Sequence, residues 1–312
     1  MMCCLFGILD HHASLSVQQR TKLLSVLATQ SEVRGRDATG IAYNSGGQLR
    51  IFKRAKAAHE LRFHLPHDAV CLMGHTRMAT QGDEKMNYNN HPFPGVVGGT
   101  SFALAHNGVI HNDHALRSEQ GLPQTVVETD SYIAVQLLER EGAVDCSSLA
   151  RVAELLQGTV ALSVLDGENN VYLVKGNNPL CVYHWKKAGL FVYASTEQIL
   201  LETFRIFTVP FGQPETVKLV DGEILKIDPV GRYSKSSFDT KNLSVPSHTY
   251  HNWPPYARFS ICGSGSETHD PYVSALKSVA HWFGFSGDDV EMMLADGFTL
   301  EEIEEMFYDG YY

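Results

Sequence analysis

Strand-like runs in this chain come in adjacent pairs, joined by turns too short to carry a crossover. "ATGIAYNSGGQLRIFKR" (38–54) folds about a Ser-Gly-Gly turn, and "TVALSVLDGENNVYLVKG" (159–176) and "LCVYHWKKAGLFVYAS" (180–195) repeat the pattern. Links this short can join only antiparallel neighbours, because a parallel pair needs a crossover of about a dozen residues or more. Further single runs read as strands at 3–9, 69–76 and 101–108. Two helices stand between them. Ser16 caps a run through Leu23, Leu24 and Leu27, and "ETDSYIAVQLLEREG" (128–142) offers Thr129 or Asp130 as its start and Gly142 as its stop. The mixture has no regular strand-helix-strand alternation. It predicts an α+β architecture of antiparallel sheet layers with covering helices, and argues against a doubly wound parallel sheet.

The 312 residues are 44% hydrophobic, enough for one large domain or one domain with an appendage. No apolar stretch approaches the roughly 20 residues of a membrane helix. Asp10, His11 and His12 end the first apolar run too early for a signal peptide, and no basic segment precedes it. Six cysteines (Cys3, Cys4, Cys71, Cys146, Cys181, Cys262) are scattered without a CxxC, so a reducing cytoplasm is the expected location. The formal charge is −10, and nine carboxylates with no Lys or Arg lie between Ser286 and Tyr312, leaving −1 for everything before. Neither part offers the basic surface of a nucleic-acid binder. The texture divides the chain into a body at 3–243, a Ser-, Pro- and Gly-rich linker at 244–271 and an acidic helical tail at 272–312. The tail reads as three short helices, with Ser286 and Thr299 as caps and an apolar mini-core. Protein binding by the tail is the alternative to that mini-core.

Four polar, glycine-containing clusters fall at strand or helix ends: "RGRDATG" (34–40), "GHTRMATQG" (74–82), "AHNGVIHN" (105–112) and "ETD" (128–130). Together with Cys3-Cys4-Leu5-Phe6-Gly7 and "YASTEQIL", and in this order, they resemble the glutaminase domain of class II glutamine amidotransferases, which are amino-terminal-nucleophile (Ntn) hydrolases. The resemblance runs from Cys3 to about Glu197. It implies a four-layer αββα sandwich, no cofactor and no metal, and hydrolysis of an L-glutamine or other γ-glutamyl amide through a Cys3 thioester.

An amino-terminal cysteine suits that chemistry. Its α-amine, with a pKa of about 7.7 to 8.0, is matched to base catalysis near neutral pH, and its thiol of about 8.5 sits on the same residue. The resemblance further implies an oxyanion hole from the Asn107 side chain and the Gly108 N–H. Arg77 and Thr80 would hold the substrate carboxylate and Asp130 its ammonium, while Arg34 would brace the nucleophile strand. Cys4 replaces the family's glycine and, facing opposite to Cys3, is expected to pack in the core. Met78 and Gln81 stand where the family usually has an aromatic residue and a histidine, both bordering the glutamine pocket. His106, His111 and His114 are spaced for a metal, yet His106 lies inside a glycine cluster where structural hydrogen bonding is the expected role.

Met1 and Met2 must be absent for Cys3 to carry the free amine, and a start at Met2 followed by its removal is the expected route. The residues after the body are too few for the synthase that usually consumes the ammonia, so a separate acceptor subunit is the expected partner. A stand-alone γ-glutamyl hydrolase and a non-catalytic module that binds glutamine or a partner stay open.

Overall fold

The computed structural model describes residues 3–243, then 285–296 together with Val273, Lys277, Ala280, Phe298, Ile303 and Met306. Two antiparallel sheets form the body. The first contains β1 (Cys4–Asp10), β2 (Ala38–Ser45), β3 (Gln48–Arg54), β4 (Cys71–Arg77), β9 (Cys181–Trp185), β10 (Leu190–Ala194) and β11 (Glu215–Thr216), in the order β11-β9-β10-β1-β4-β2-β3. The second contains β5 (Phe93–Val97), β6 (Thr100–Ile110), β7 (Gly158–Asp166), β8 (Val171–Lys175), β12 (Glu223–Ile227) and β13 (Tyr233–Ser237), in the order β13-β12-β8-β7-β6-β5. The three hairpins of the sequence are β2–β3, β7–β8 and β9–β10. At the first turn Gly46 and Gly47 both take positive φ (58° and 74°), the backbone that a tight two-residue hairpin requires.

Side-chain alternation sorts residues into layers. Cys4, Phe6 and Ile8 of β1 pack with Leu23, Leu24 and Leu27 of α1 (Val17–Ser31) and with Ile199 and Leu200 of α5 (Glu197–Ile206). Leu5 and Leu9, on the other face, meet Ala103, Ala105 and Ala161 of the second sheet. Small alanines there let the two sheets approach closely. Phe102 and Leu104 of β6 turn the opposite way, into a core shared with α2 (Asp113–Glu119), α3 (Tyr132–Glu141) and α4 (Cys146–Leu155). The result is the four-layer αββα sandwich. β1 lies at the middle of its sheet and is buried along its whole length, which is why it reads as one continuous apolar run.

The helix signals hold with one shift. Ser16 and Gln19 form a capping box, Gln19 N–H donating to Ser16 Oγ at 3.2 Å and Ser16 N–H to Gln19 Oε1 at 2.8 Å. Gly142 closes α3 in the left-handed conformation. That helix begins at Tyr132, later than Thr129 or Asp130, because the Asp130 carboxylate is tied to the Ile110 and Ser131 N–H groups. In the tail, α6 (Gly287–Ala295) is capped by Ser286 with Asp289, and Ala280, Val290, Met293 and Ile303 form a small buried cluster. Met292 and Phe298 of the same apolar stripe are 58% and 42% exposed. Met1, Met2, the linker 244–271 and the cap expected at Thr299 lie outside the described residues.

Candidate active site between the two sheets

Period-two geometry aims the candidate residues into one gap. Leu5 faces the second sheet, so Cys3, two residues earlier, faces it too. Met73 of β4 is on the inter-sheet face, and His75 and Arg77 follow it at the same spacing. On β6, Ala103 and Ala105 face the first sheet, and Asn107 continues their row. Cys4 pairs with Thr76 across the β1–β4 ladder, which sets Cys3 beside Arg77. Cys4 itself is fully buried against the helix layer.

Cys3 is held by backbone. Its Sγ lies 3.5 Å from the Met78 carbonyl and 3.4 Å from the Met78 N–H, while Arg34 Nε donates to the Cys3 carbonyl at 2.8 Å. The residue is part-exposed, but protein surrounds the sulfur, and burial pushes its pKa up to about 11. The Met78 N–H and the Arg77 guanidinium pull the other way, and Asp130 adds to the rise; burial wins. The thiol is therefore neutral near pH 7 and needs a base to react.

Arg77 is buried, its guanidinium fixed by Asn90 Oδ1 at 2.6 Å and by the Gln81 and Gly82 carbonyls. None of these hydrogen-bond partners is charged; burial lowers the guanidinium's pKa, while the carboxylates of Glu84, Asp37 and Asp130 act on it through space. Asp130 is buried as well. Its Oδ2 accepts the Ile110 N–H at 2.6 Å and its Oδ1 the Ser131 N–H at 2.8 Å. Thr80 stands apart from this buried row, exposed on the loop after β4. Asn107 is fully buried, with Nδ2 3.3 Å from Ser195 Oγ and its carbonyl accepting from Asn178 Nδ2 at 2.6 Å. Gly108 has φ +151°, and a Cβ there would lie 1.7 Å from the Thr159 carbonyl, so only glycine fits.

The histidines serve the scaffold. His106 Nε2–H donates to the Thr159 carbonyl at 3.1 Å, leaving Nδ1 to accept from Ser131 Oγ at 2.8 Å. His75 Nε2–H donates to the His106 carbonyl at 3.0 Å. Burial pushes His75 down to about 3 and lowers His91 and His106 too, so all three are neutral at ordinary pH. The His114 side chain is 89% exposed, away from the buried His106. Among the described residues, no group of His, Cys, Asp and Glu is arranged to hold a metal ion, and no helix is long and apolar enough to cross a membrane.

The family model for class-II glutamine amidotransferases matches residues 2–212. The chain belongs to this family. Glutamine–fructose-6-phosphate aminotransferase (isomerizing) of Staphylococcus epidermidis is 35% identical over 182 residues, 55% of this chain and 29% of that protein. Its Staphylococcus aureus counterpart is 36% identical over 159 residues, 48% of this chain and 26% of that protein. The chain thus spans less than a third of the length of these relatives. Among solved structures, the Bacillus subtilis glutamine phosphoribosylpyrophosphate amidotransferase complexed with ADP and GMP superposes with a TM-score of 0.59 at 22% identity, covering 77% of this chain and 50% of that one. An allosteric regulatory enzyme of purine biosynthesis gives 0.60 at 21% identity, with the same coverage. Both share the fold.

In this chain the residues that hold the candidate site are less apparent from sequence than the candidates themselves. Asn90 steers Arg77, Asn178 fixes the Asn107 carbonyl, and Ser195 joins Asn107 to β1. The available signal for Ser195 is a polar residue closing the apolar run of β10; Asn90 and Asn178 sit in polar loops that give none.

Proposed function

We propose that this chain hydrolyses the side-chain amide of L-glutamine through Cys3 and that the ammonia is passed to a synthase. The observation that carries the reading is a chain of contacts: the β1–β4 register sets Arg77 beside Cys3, Ser195 ties Asn107 to Leu5 two residues from Cys3, and Arg77 and Asp130 both act electrostatically on the Cys3 thiol. Among the described residues, the hydrogen bonds of the Cys3 sulfur are with Met78 backbone alone, so no side-chain base adjoins it. The cysteine's own α-amine fills that role once the residues before it are gone.

The thiol proton passes to the α-amine as Sγ attacks the amide carbon. The oxyanion that forms is held by the Asn107 side-chain NH2 and the Gly108 N–H. Collapse breaks the C–N bond, the ammonium proton goes to the leaving nitrogen, and ammonia departs from a γ-glutamyl thioester. Water, deprotonated by the same amine, then releases glutamate and restores the thiol. Arg77, with Thr80, binds the substrate α-carboxylate and Asp130 its α-ammonium. Arg34 keeps Cys3 in place through its carbonyl. The glutaminase unit is assigned to 3–243, with 244–271 as linker and 272–312 as an acidic unit for a protein partner.

The test is glutamate release from L-glutamine by protein whose terminus mass spectrometry identifies as Cys3, beside a Cys3→Ala control. Release abolished in the control supports the reading. Equal release in both overturns it.

A further inference from the structure

Ser195 sits where the two sheets exchange polar contacts. It follows β10, is fully buried, and closes a reciprocal pair with the nucleophile strand: Leu5 N–H donates to Ser195 Oγ at 2.9 Å and Ser195 N–H to the Leu5 carbonyl at 2.9 Å. The same Oγ is 3.3 Å from Asn107 Nδ2 on the facing sheet, while Asn107 Oδ1 is buried without a partner. Two N–H donors therefore point at one hydroxyl oxygen, and a carbonyl oxygen nearby has no donor.

The hydroxyl hydrogen has two acceptors in reach. One is the Cys4 sulfur, a weak acceptor; the other is the Asn107 amide, once its oxygen turns toward Ser195. That turn gives Oδ1 a donor and frees Nδ2: one Ser195–Asn107 hydrogen bond exists in either arrangement, and a carbonyl oxygen bound in the gap gives the turned one an acceptor for Nδ2 as well. Asn178 holds the Asn107 backbone carbonyl at 2.6 Å, so the side chain can turn without moving the strand.

We propose that Ser195 is a positioning residue for the oxyanion hole: its hydroxyl, anchored by the Leu5 N–H, donates to Asn107 Oδ1 and thereby presents Asn107 Nδ2 to the carbonyl oxygen of an amide bound at Cys3. The inference rests on the glutaminase reading above. It also makes the nucleophile strand and the oxyanion donor parts of one hydrogen-bonded unit, two residues from Cys3 on one side and inside the Asn107 amide on the other.

A double-mutant cycle on the full chain with Cys3 at its terminus tests this. Removing an oxyanion donor costs about 100- to 1,000-fold in kcat, and a misoriented donor loses part of that. Ser195→Ala should therefore lower kcat by about 10- to 100-fold with KM changed by less than about threefold. Ser195→Thr, which keeps the hydroxyl, should recover most of the loss. In an Asn107→Ala background, Ser195→Ala should cost less than about threefold further, because the group it orients is gone. A full, multiplicative loss in that background marks Ser195 as purely structural and overturns the inference, as does an unchanged kcat in Ser195→Ala. Should Ser195→Ala fail to fold, Ser195→Cys, with its weak donor, replaces it in the same cycle. Wild-type protein that releases no glutamate overturns the glutaminase reading and this inference with it; an active wild type with a multiplicative cycle overturns this inference alone.

Discussion

The Asp130 carboxylate accepts the backbone N–H of Ile110 at 2.6 Å, so the group assigned to the substrate ammonium also fastens the end of the strand that carries Asn107 and Gly108. Its second oxygen meanwhile accepts the Ser131 N–H at the start of α3. The proposed contact with substrate and the position of the strand are thereby joined in one side chain.

Asp130→Asn separates the two duties. The amide offers one acceptor oxygen in place of two, so either Ile110 or Ser131 loses its partner inside the protein. We expect a stability loss of about 1–3 kcal/mol by urea denaturation, together with a rise in KM for glutamine of at least about tenfold. A variant with normal KM would remove Asp130 from the substrate site.

Cys3 reactivity should depend on what precedes it. With its pKa pushed up to about 11 by burial, the thiol of a chain that keeps residues before Cys3 should alkylate about tenfold faster per pH unit through pH 9–10. In the processed chain, the α-amine takes the proton, and the rate should break near its pKa of about 8. Iodoacetamide labelling followed by peptide mass spectrometry reads both profiles, and identical profiles would count against the amine as base.

His75, His91 and His106 are buried and neutral, their pKa values lowered chiefly by burial. In the unfolded chain a histidine takes its proton near pH 6.5, whereas folded His75 holds off to about 3. Between those values the unfolded state binds more protons, so stability is full above about pH 6.5 and falls as the pH drops below it. A histidine shifted as far as His75 contributes a slope of about 1.4 kcal/mol per pH unit across that range, and His91, held well below 6.5, acts in the same direction. His91 has no hydrogen-bond partner on either ring nitrogen and lies between His75 and Phe93, tilted against both rings at 4.1 and 4.3 Å between centroids. His91→Phe should accordingly flatten the decline by about one such increment in denaturant melts between pH 7 and 5.

Two glycines with positive φ should answer alanine very differently. At Gly108 the new Cβ would lie 1.7 Å from backbone, and we expect a loss of about 4 kcal/mol or more. At Gly98 nothing lies within 4 Å, leaving only the backbone preference of about 1–2 kcal/mol. Guanidinium melts of the two variants compare them directly.

What the sequence discloses is mostly local. The hairpins, the Ser16 capping box and the Gly142 stop depend on residues a few positions apart, so their signals survive without the fold. The clusters holding Cys3, Arg77, Asn107 and Asp130 were legible because glycines and polar groups interrupt apolar strands at their ends. Their convergence was not, because it depends on sheet register: Leu5 and Ser195 are 190 residues apart, and Asn107 and Asn178 are 71 apart. The rise of the Cys3 pKa was hidden for the same reason. A bare thiol near Arg77 suggests a depressed value, and only the packing around the sulfur reverses it. Asp130 as the start of α3 failed because a long-range bond to Ile110 took the carboxylate away from capping.

In the proposed reaction the Cys3 sulfur, served by its own amine, forms a thioester with the γ-carbonyl of glutamine. Acid quenching of processed enzyme during turnover, followed by peptide mass spectrometry, tests it most directly. The expected result is a γ-glutamyl increment on the peptide that begins at Cys3, absent without glutamine and absent in Cys3→Ala. Glutamate release in the same reaction with that peptide unmodified, or with the increment on another residue, would contradict it.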